Sequence, residues 1–499
     1  MTRERKFTGP SNRTEIPSSK LIEVIIEDVI KAKEMPYAQW LALSPNPLVP
    51  LAIPLSQDGQ YPVTQVGVDA AHALTQQSWQ LYEPLRQTID REAFSRLSFR
   101  AIGDTLRDCQ IHLPEVTHDQ KGQEWVLGDS FYVAVAEDYN LRLQQLATRA
   151  SLDVDRHIPC HLFHLDQAVP AFSVGPVQFL PRAEWLDSFV KDSEVRNLIR
   201  QVETRQLEME RLTEQSTTST VARHALDVLR ALRQYSWVAT IRMEGHEPAR
   251  SHLKASVVVG LAIDAIGLRF QVEDARRFTK AGKQHLFAED RLATTLDGRF
   301  LRGTSVQMPG IGGSPGALTA KMVAEQPFLD AAGCILQHYI NGRKSGHALH
   351  LVERWANALY WVGEARREAS DFMAVVNYGC AADGLSGAGG KANDMTIFAE
   401  AALKPKIETV ADGTITVGDA VHKLYREGRN KLAHGEIPGL LEDLAEPRAI
   451  GEALMSALFD AVTPVLADLL QNEPNLSELD GKLAYRLLKA KLEANRSGT

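Results

Sequence analysis

The sequence predicts a mainly α-helical protein in which an α+β region precedes an all-α helical bundle at the C-terminus. Apolar residues recur at helical spacing through most of the 499 residues. Strand-like segments are concentrated in the middle of the chain, and a glycine- and proline-rich segment separates them from a run of consecutive helices. The expected parts are a mostly helical region suited to sensing or regulation (1–150), an α+β domain (151–310), a linker (311–324) and the bundle (325–499).

The first part is predicted to be helical except for its polar start and one strand. Ser18 and Ser19 precede an apolar segment and favour a helix start. Residues 68–110 and 139–150 carry apolar side chains at helical spacing. Residues 131–135, FYVAV, are predicted to form a strand because aromatic and β-branched residues favour sheets.

The middle part mixes both kinds of element. Residues 171–180 are predicted to form strand, turn and strand, and 236–243 a further strand. Residues 183–233 are strongly helical around the polar run 216–220, and 283–307 contain one or two more strands.

The segment 308–316 holds four glycines and two prolines, which cannot continue a helix or a central strand. Pro315 stands where GxGxxG requires its third glycine, and no Gly-Lys-Ser/Thr follows. We therefore expect a linker here and no phosphate-binding loop.

Seven helices are predicted after this linker, which together indicate a bundle. Their spans are 327–341, 346–367, 369–385, 391–403, 416–434, 446–471 and 478–495.

Composition and charge favour a soluble, cytoplasmic protein without a membrane partner. The formal net charge of −8 and pI near 6.0 disfavour a basic, tail-driven nucleic-acid binder but leave room for a local basic site. Four separated cysteines without a CxxC pair fit a reducing compartment. No apolar segment follows the charged N-terminus, and the longest apolar run, 255–268, is too short to span a bilayer and contains Asp264.

One cluster of metal-ligand residue types occurs in the middle part: His157, Cys160, His161 and His164. On a strand, His157 and His161 share one face while Cys160 and His164 share the other, which divides the set. A metal-dependent enzyme centred here is therefore the weakest hypothesis, and we expect no metal and no cofactor.

The strongest candidate site is the segment 425–435, YREGRNKLAHG, at the end of a predicted helix. Gly435 can form the left-handed C-terminal cap, which places His434 in the last turn, where the helix dipole favours its imidazolium form. An arginine such as Arg429 can hold a phosphate through two hydrogen bonds, and histidine can move a proton near neutral pH. The residue types thus suit phosphodiester chemistry.

Helix geometry places a constraint on this site. Five residues separate Arg429 from His434 by about 140° around an ideal α-helix, so the two do not share a face. Either the helix is distorted, for which Gly428 is the natural position, or another element or a second protomer completes the site.

The sequence Arg429-Asn430-x-x-x-His434 resembles the RNxxxH motif of HEPN domains, and its context looks most like the Apea-like HEPN branch. The resemblance covers roughly residues 325–475. It implies a homodimeric, metal-independent endoribonuclease with His434 as general acid/base, Arg429 stabilising the phosphate and Asn430 orienting groups. It further suggests substrate contacts from Tyr425, Arg426 and Lys431, and a supporting carboxylate at Asp383.

Two functions remain open at this point. Such domains often act as toxins or antiviral defence effectors, here with residues 1–320 restraining the nuclease until a regulatory partner or phage-derived trigger acts. The alternative is a non-catalytic scaffold of the same shape that binds RNA, nucleotide or protein, dimerises, or docks a partner such as an antitoxin.

Overall fold

A computed structural model gives the fold of the chain. It describes residues 16–44, 51–108, 129–164, 169–232, 235–282, 288–306, 308–314, 316–342, 349–409, 413–433, 444–473, 475–476, 479 and 481–498. The described chain is mainly helical with small sheets, which confirms the predicted fold class. It divides into two compact units, Met1–Asp153 with Glu244–Ser251, and Val154–Met243 with His252–Thr499.

The first unit is a helical assembly with one short antiparallel strand pair. Its elements are α1 (Ser18–Glu34), α2 (Tyr37–Ala42), β1 (Ala52–Pro54), β2 (Gln60–Pro62), α3 (Gln65–Leu81), α4 (Glu83–Thr88), α5 (Arg91–Asp108) and α6 (Asp129–Ala150). Helices α1, α3, α5 and α6 bury one hydrophobic core.

A buried carboxylate joins α1 to the start of α3. Asp28 accepts hydrogen bonds from the backbone N–H of Thr64 at 2.7 Å and of Gly67 at 3.1 Å. These N–H groups would otherwise lack acceptors at a helix N-terminus. The contact therefore fixes where α3 begins.

The second unit opens with a five-stranded sheet and its helices. The elements are β3 (Leu152–His161), β4 (Phe172–Val174), β5 (Val177–Pro181), α7 (Arg182–Phe189), α8 (Ser193–Glu203), α9 (Met209–Gln215), α10 (Thr220–Leu232), β6 (Trp237–His246), α11 (Pro248–Gly267), α12 (Val272–Ala275) and β7 (Thr279–Lys280). The strand order is β4-β5-β6-β3-β7. Helices α7 to α10 pack into a small core of their own around Leu180 and Val238.

An antiparallel pair, β8 (Ala288–Thr294) with β9 (Phe300–Val306), precedes the bundle. The bundle elements are α13 (Ala317–Asn341), α14 (Leu349–Arg367), α15 (Asp371–Ser386), α16 (Ala392–Ala402), β10 (Lys406–Thr409), β11 (Gly413–Thr416), α17 (Val417–Val421), a π-helix (His422–Asn430), α18 (Lys431–Ala433), α19 (Ala445–Asn472) and α20 (Gly481–Gly498). The seven predicted helices are confirmed over their described residues, although α13 begins ten residues earlier than predicted and the β10–β11 pair was not predicted.

The sheet and the bundle share one hydrophobic core, which contains Cys160 and Trp237 from the sheet and Leu336 and Trp355 from the bundle. The segment predicted as a linker contributes to this core. Ile311 is 2% exposed, donates to the Leu162 carbonyl at 2.9 Å and accepts from the His164 N–H at 2.9 Å. The glycines around Ile311 end the strand region, while the last residues of the predicted linker already belong to α13.

Helix α19 is long and apolar enough to cross a membrane by length and composition, and it is the single such helix in the described part of the chain. Of the most apolar 18-residue stretch of this helix, 61% is buried inside the bundle, as is usual for the central helix of a packed core.

The prediction of a strand at 131–135 is wrong, because these residues lie in α6. The buried residues Tyr132, Val135, Tyr139 and Leu143 recur every three or four positions, as one face of a helix requires. The strand predictions at 171–180 and 236–243 are confirmed, as is the prediction for 283–307 over the described residues 288–306.

Candidate active site on the π-helix

The motif segment forms a π-helix from His422 to Asn430, which follows α17 without a break. Thr416 caps the N-terminus of α17, where its side-chain oxygen accepts a hydrogen bond from the Asp419 N–H at 3.1 Å. A π-helix pairs residues i and i+5, is rare, and occurs mostly at functional sites. Of the two options left by the sequence, a distorted helix is therefore the one observed for this segment.

Two close contacts between glycine and side chain join the π-helix to α15. A β-carbon on Gly428 would lie 2.7 Å from Cγ1 of Val375, and one on Gly379 would lie 2.7 Å from Cβ of Arg429. Real β-carbons do not approach this closely, so each helix needs its glycine for the crossing. The crossing fixes the start of the Arg429 side chain.

The guanidinium of Arg429 is held by its own helix. Its Nη1 donates to Oη of Tyr425 at 3.3 Å and to Oδ1 of Asn430 at 3.1 Å. The group also lies over the Tyr425 ring, 5.2 Å from the ring centroid. Among the described residues, no carboxylate lies within ion-pair distance of Arg429. The partly buried positive charge is thus available to an anion.

Asp383 organises the glycine-rich turn that follows α15. Its backbone carbonyl accepts from the Gly387 N–H and its Oδ1 from the Gly390 N–H, both at 2.9 Å. The turn passes beside Tyr425, because a β-carbon on Gly390 would lie 3.5 Å from the tyrosine oxygen. The structure thus brings Asp383, Tyr425, Arg429 and Asn430 into one neighbourhood.

Tyr425 is 1% exposed, and its oxygen accepts a hydrogen bond that holds Arg429 in place. Because the side chain is buried, it is not available for the substrate contact that was predicted for it. Burial raises the pKa of the Tyr425 hydroxyl, Asp383 raises it further, and Arg429 opposes the increase. The hydroxyl therefore stays protonated at neutral pH and can accept from Arg429 through its lone pairs.

The other predicted residues are not all placed by the structure. Arg426 and Lys431 are exposed on the π-helix and α18, where they can meet a ligand at the surface. His434, together with Gly435, lies outside the described residues.

A buried charge network joins α15 to α14 and α19. Arg366 on α14 and Tyr378 on α15 both donate to the carboxylate of Glu452 on α19. Burial raises the pKa of Glu452, but Arg366 and the hydrogen bonds to the carboxylate outweigh burial, and the pKa lies below its usual range. Tyr378 directly precedes Gly379, so this network fixes the helix that carries the crossing.

The histidine cluster at 157–164 is not assembled into a metal site. His157 accepts from the Trp185 indole at 3.0 Å, while Cys160 is fully buried in the hydrophobic core. No group of three or more potential ligands is arranged for a metal ion within the described ranges.

Sequence reasoning missed Gly379 and the turn at 386–390. Both could have been suspected from the sequence, because glycines occur inside and directly after this apolar helix. Glycines at such positions often mark close packing or the end of a helix. No protein-family model, curated protein or solved structure matches the chain.

Proposed function

We propose that the chain is a metal-independent endoribonuclease of the HEPN type. The observation that carries this proposal is the Arg429 guanidinium, held by Tyr425 and Asn430 on a π-helix and lacking a carboxylate partner among the described residues. A fixed, unpaired guanidinium suits the stabilisation of charge that develops on a phosphate during reaction.

In the proposed reaction the ribose 2′-oxygen attacks the adjacent phosphorus and the bond to the 5′-oxygen breaks. His434 moves the protons as general acid/base, which leaves a 2′,3′-cyclic phosphate and a 5′-OH. Arg429 neutralises the extra negative charge of the transition state, and Asn430 orients the guanidinium. A homodimer through the C-terminal bundle would bring two such pairs together.

The division of the chain into two units supports a proposal for the biological role. The first unit has a hydrophobic core of its own, which suits a separate regulatory module. We therefore propose a cytoplasmic toxin or antiviral defence effector whose nuclease is restrained until a trigger acts. Expression of wild-type protein is expected to arrest growth, and His434→Ala is expected to relieve the arrest at equal soluble protein levels.

The direct test is cleavage of total RNA by purified protein in EDTA, which suppresses metal-dependent contaminants. Wild type is expected to cut and leave cyclic-phosphate ends, whereas the Arg429→Ala/His434→Ala double variant is not. Arg230→Gln, at an exposed position of α10, controls for the loss of one positive charge. Equal cutting by the double variant would refute this site, and RNA binding without cutting would favour the non-catalytic scaffold.

A further inference from the structure

Among the described residues, a second arginine of the bundle also lacks a carboxylate partner. Arg354 lies on α14 and is half-buried, with its guanidinium 5.2 Å from the centroid of the Tyr485 ring on α20. Within the described part of the chain it makes no ion pair and no hydrogen bond. An arginine that is partly withdrawn from water and unpaired retains the capacity to bind an anion through two hydrogen bonds.

The guanidinium of Arg354 reaches the glycine-rich turn that passes beside Tyr425, the residue whose oxygen accepts from Arg429. Its Nη1 occupies the space that a β-carbon of Gly387 would fill. Gly387 also has a φ of +62°, a conformation that glycine adopts without strain. A side chain at this position would therefore displace Arg354.

The same turn connects the two arginines. Gly387 and Gly390 are both hydrogen-bonded to Asp383, which keeps the turn short, and Gly390 adjoins the tyrosine oxygen that holds Arg429. Arg354 lies at one end of the turn, and at the other end lies the Tyr425 oxygen that accepts from Arg429. Lys391, exposed directly after the turn, adds a third positive charge.

Two separate guanidiniums match a ligand that carries phosphates at intervals along one chain. We propose that Arg354 binds a second phosphodiester of single-stranded RNA, next to the scissile phosphate held by Arg429. This inference rests on the proposed function for its choice of substrate. It adds a binding residue from a helix that the motif does not include.

The contact with Tyr485 is compatible with a purely structural role for Arg354. The variants are therefore chosen to separate loss of packing from loss of RNA binding. Arg354→Met removes the charge and keeps most of the aliphatic stem, and Arg354→Lys keeps the charge without the planar fork. Arg230→Gln is the matched control for charge loss, since α10 belongs to a different core. Thermal unfolding of all three variants reports whether the fold is retained.

The experiment measures the affinity for a fluorescein-labelled 2′-O-methyl oligonucleotide, which lacks the attacking hydroxyl, by anisotropy in EDTA at several salt concentrations. Arg354→Met is expected to weaken Kd about fivefold to tenfold and to lower the slope of log Kd against log salt by about 0.7. Arg354→Lys is expected to be intermediate, and Arg230→Gln to match wild type. Wild-type affinity and salt slope in Arg354→Met would overturn the proposal.

Cleavage assays separate this proposal from the proposed function. With a long RNA, Arg354→Met is expected to raise KM about fivefold and to leave kcat unchanged, because a contact with a phosphate that does not react is equally strong before and during reaction. With a dinucleotide, which has a single phosphodiester, it is expected to match wild type.

If wild type binds the oligonucleotide through Arg354 but cuts no RNA, the nuclease proposal fails and the phosphate site stands. If wild type cuts RNA and Arg354→Met binds equally well, the phosphate site alone fails. Absence of oligonucleotide binding by wild type would overturn the site directly.

Discussion

Gly379 lies directly against Arg429, so close that a β-carbon on the glycine would be 2.7 Å from Cβ and 2.8 Å from Cγ of the arginine. The glycine belongs to α15 and the arginine to the π-helix. The position of the proposed phosphate-binding side chain is therefore set by a residue on another helix, about fifty residues earlier in the sequence.

Replacing Gly379 with alanine is expected to move Arg429 and lower RNA cleavage at least tenfold. The added methyl must displace either the arginine stem or the helix, at a cost of about 1–3 kcal/mol typical of overpacking. Gly384→Ala is the matched control, because the same helix offers open space around a β-carbon there. Equal activity of both variants, measured as kcat/KM on one RNA, would show that the crossing does not position Arg429.

The bundle helices could be predicted from the sequence, whereas the way in which Arg429 is held could not. Helical spacing identified all seven bundle helices, and the angular mismatch between Arg429 and His434 left a distorted helix as one of two options for the segment that forms the π-helix. The π-helix itself, and the contact with Gly379, depend on packing between distant segments. At 131–135 a local preference for strand was overridden because the burial pattern of α6 follows the helical period.

Tyr425→Phe is expected to reduce cleavage about tenfold while leaving the fold intact. The change removes the oxygen that accepts from Arg429 but keeps the buried ring and its contact with the guanidinium. Loss of one hydrogen bond to a charged group is worth about 1.5 kcal/mol, which corresponds to roughly one order of magnitude in rate. The measurements are kcat and Tm of both proteins. An unchanged kcat would mean that Asn430 suffices to hold the arginine.

Glu452→Gln is expected to destabilise the protein strongly, because it leaves the guanidinium of Arg366 buried without its charge partner. Removing one member of a buried ion pair typically costs about 3–5 kcal/mol. Replacing both residues, as Arg366→Met/Glu452→Met, is expected to recover much of that loss because no charge remains buried. Chemical unfolding of Arg366→Met, Glu452→Met and the double variant gives the coupling free energy between the two residues, and simple additivity would contradict the assignment.

His161 is expected to make stability fall between about pH 6.5 and pH 4. Burial, with a smaller contribution from His164, lowers the pKa of His161 to about 4, and no hydrogen-bond partner of its Nε2 is found among the described residues. The unfolded chain takes up a proton near pH 6.5 while the folded chain resists protonation, so the folded state loses stability as pH decreases through this range.

His161→Phe tests this pH dependence, because phenylalanine can keep the packing against the Tyr235 ring and cannot titrate. The variant is expected to match or exceed wild-type stability at pH 7 and to be more stable by about 2 kcal/mol at pH 4.5. His252→Gln, at an exposed position of α11, controls for the loss of an imidazole elsewhere. Urea unfolding at both pH values gives the difference, and parallel losses in wild type and His161→Phe would assign the acid sensitivity to other groups.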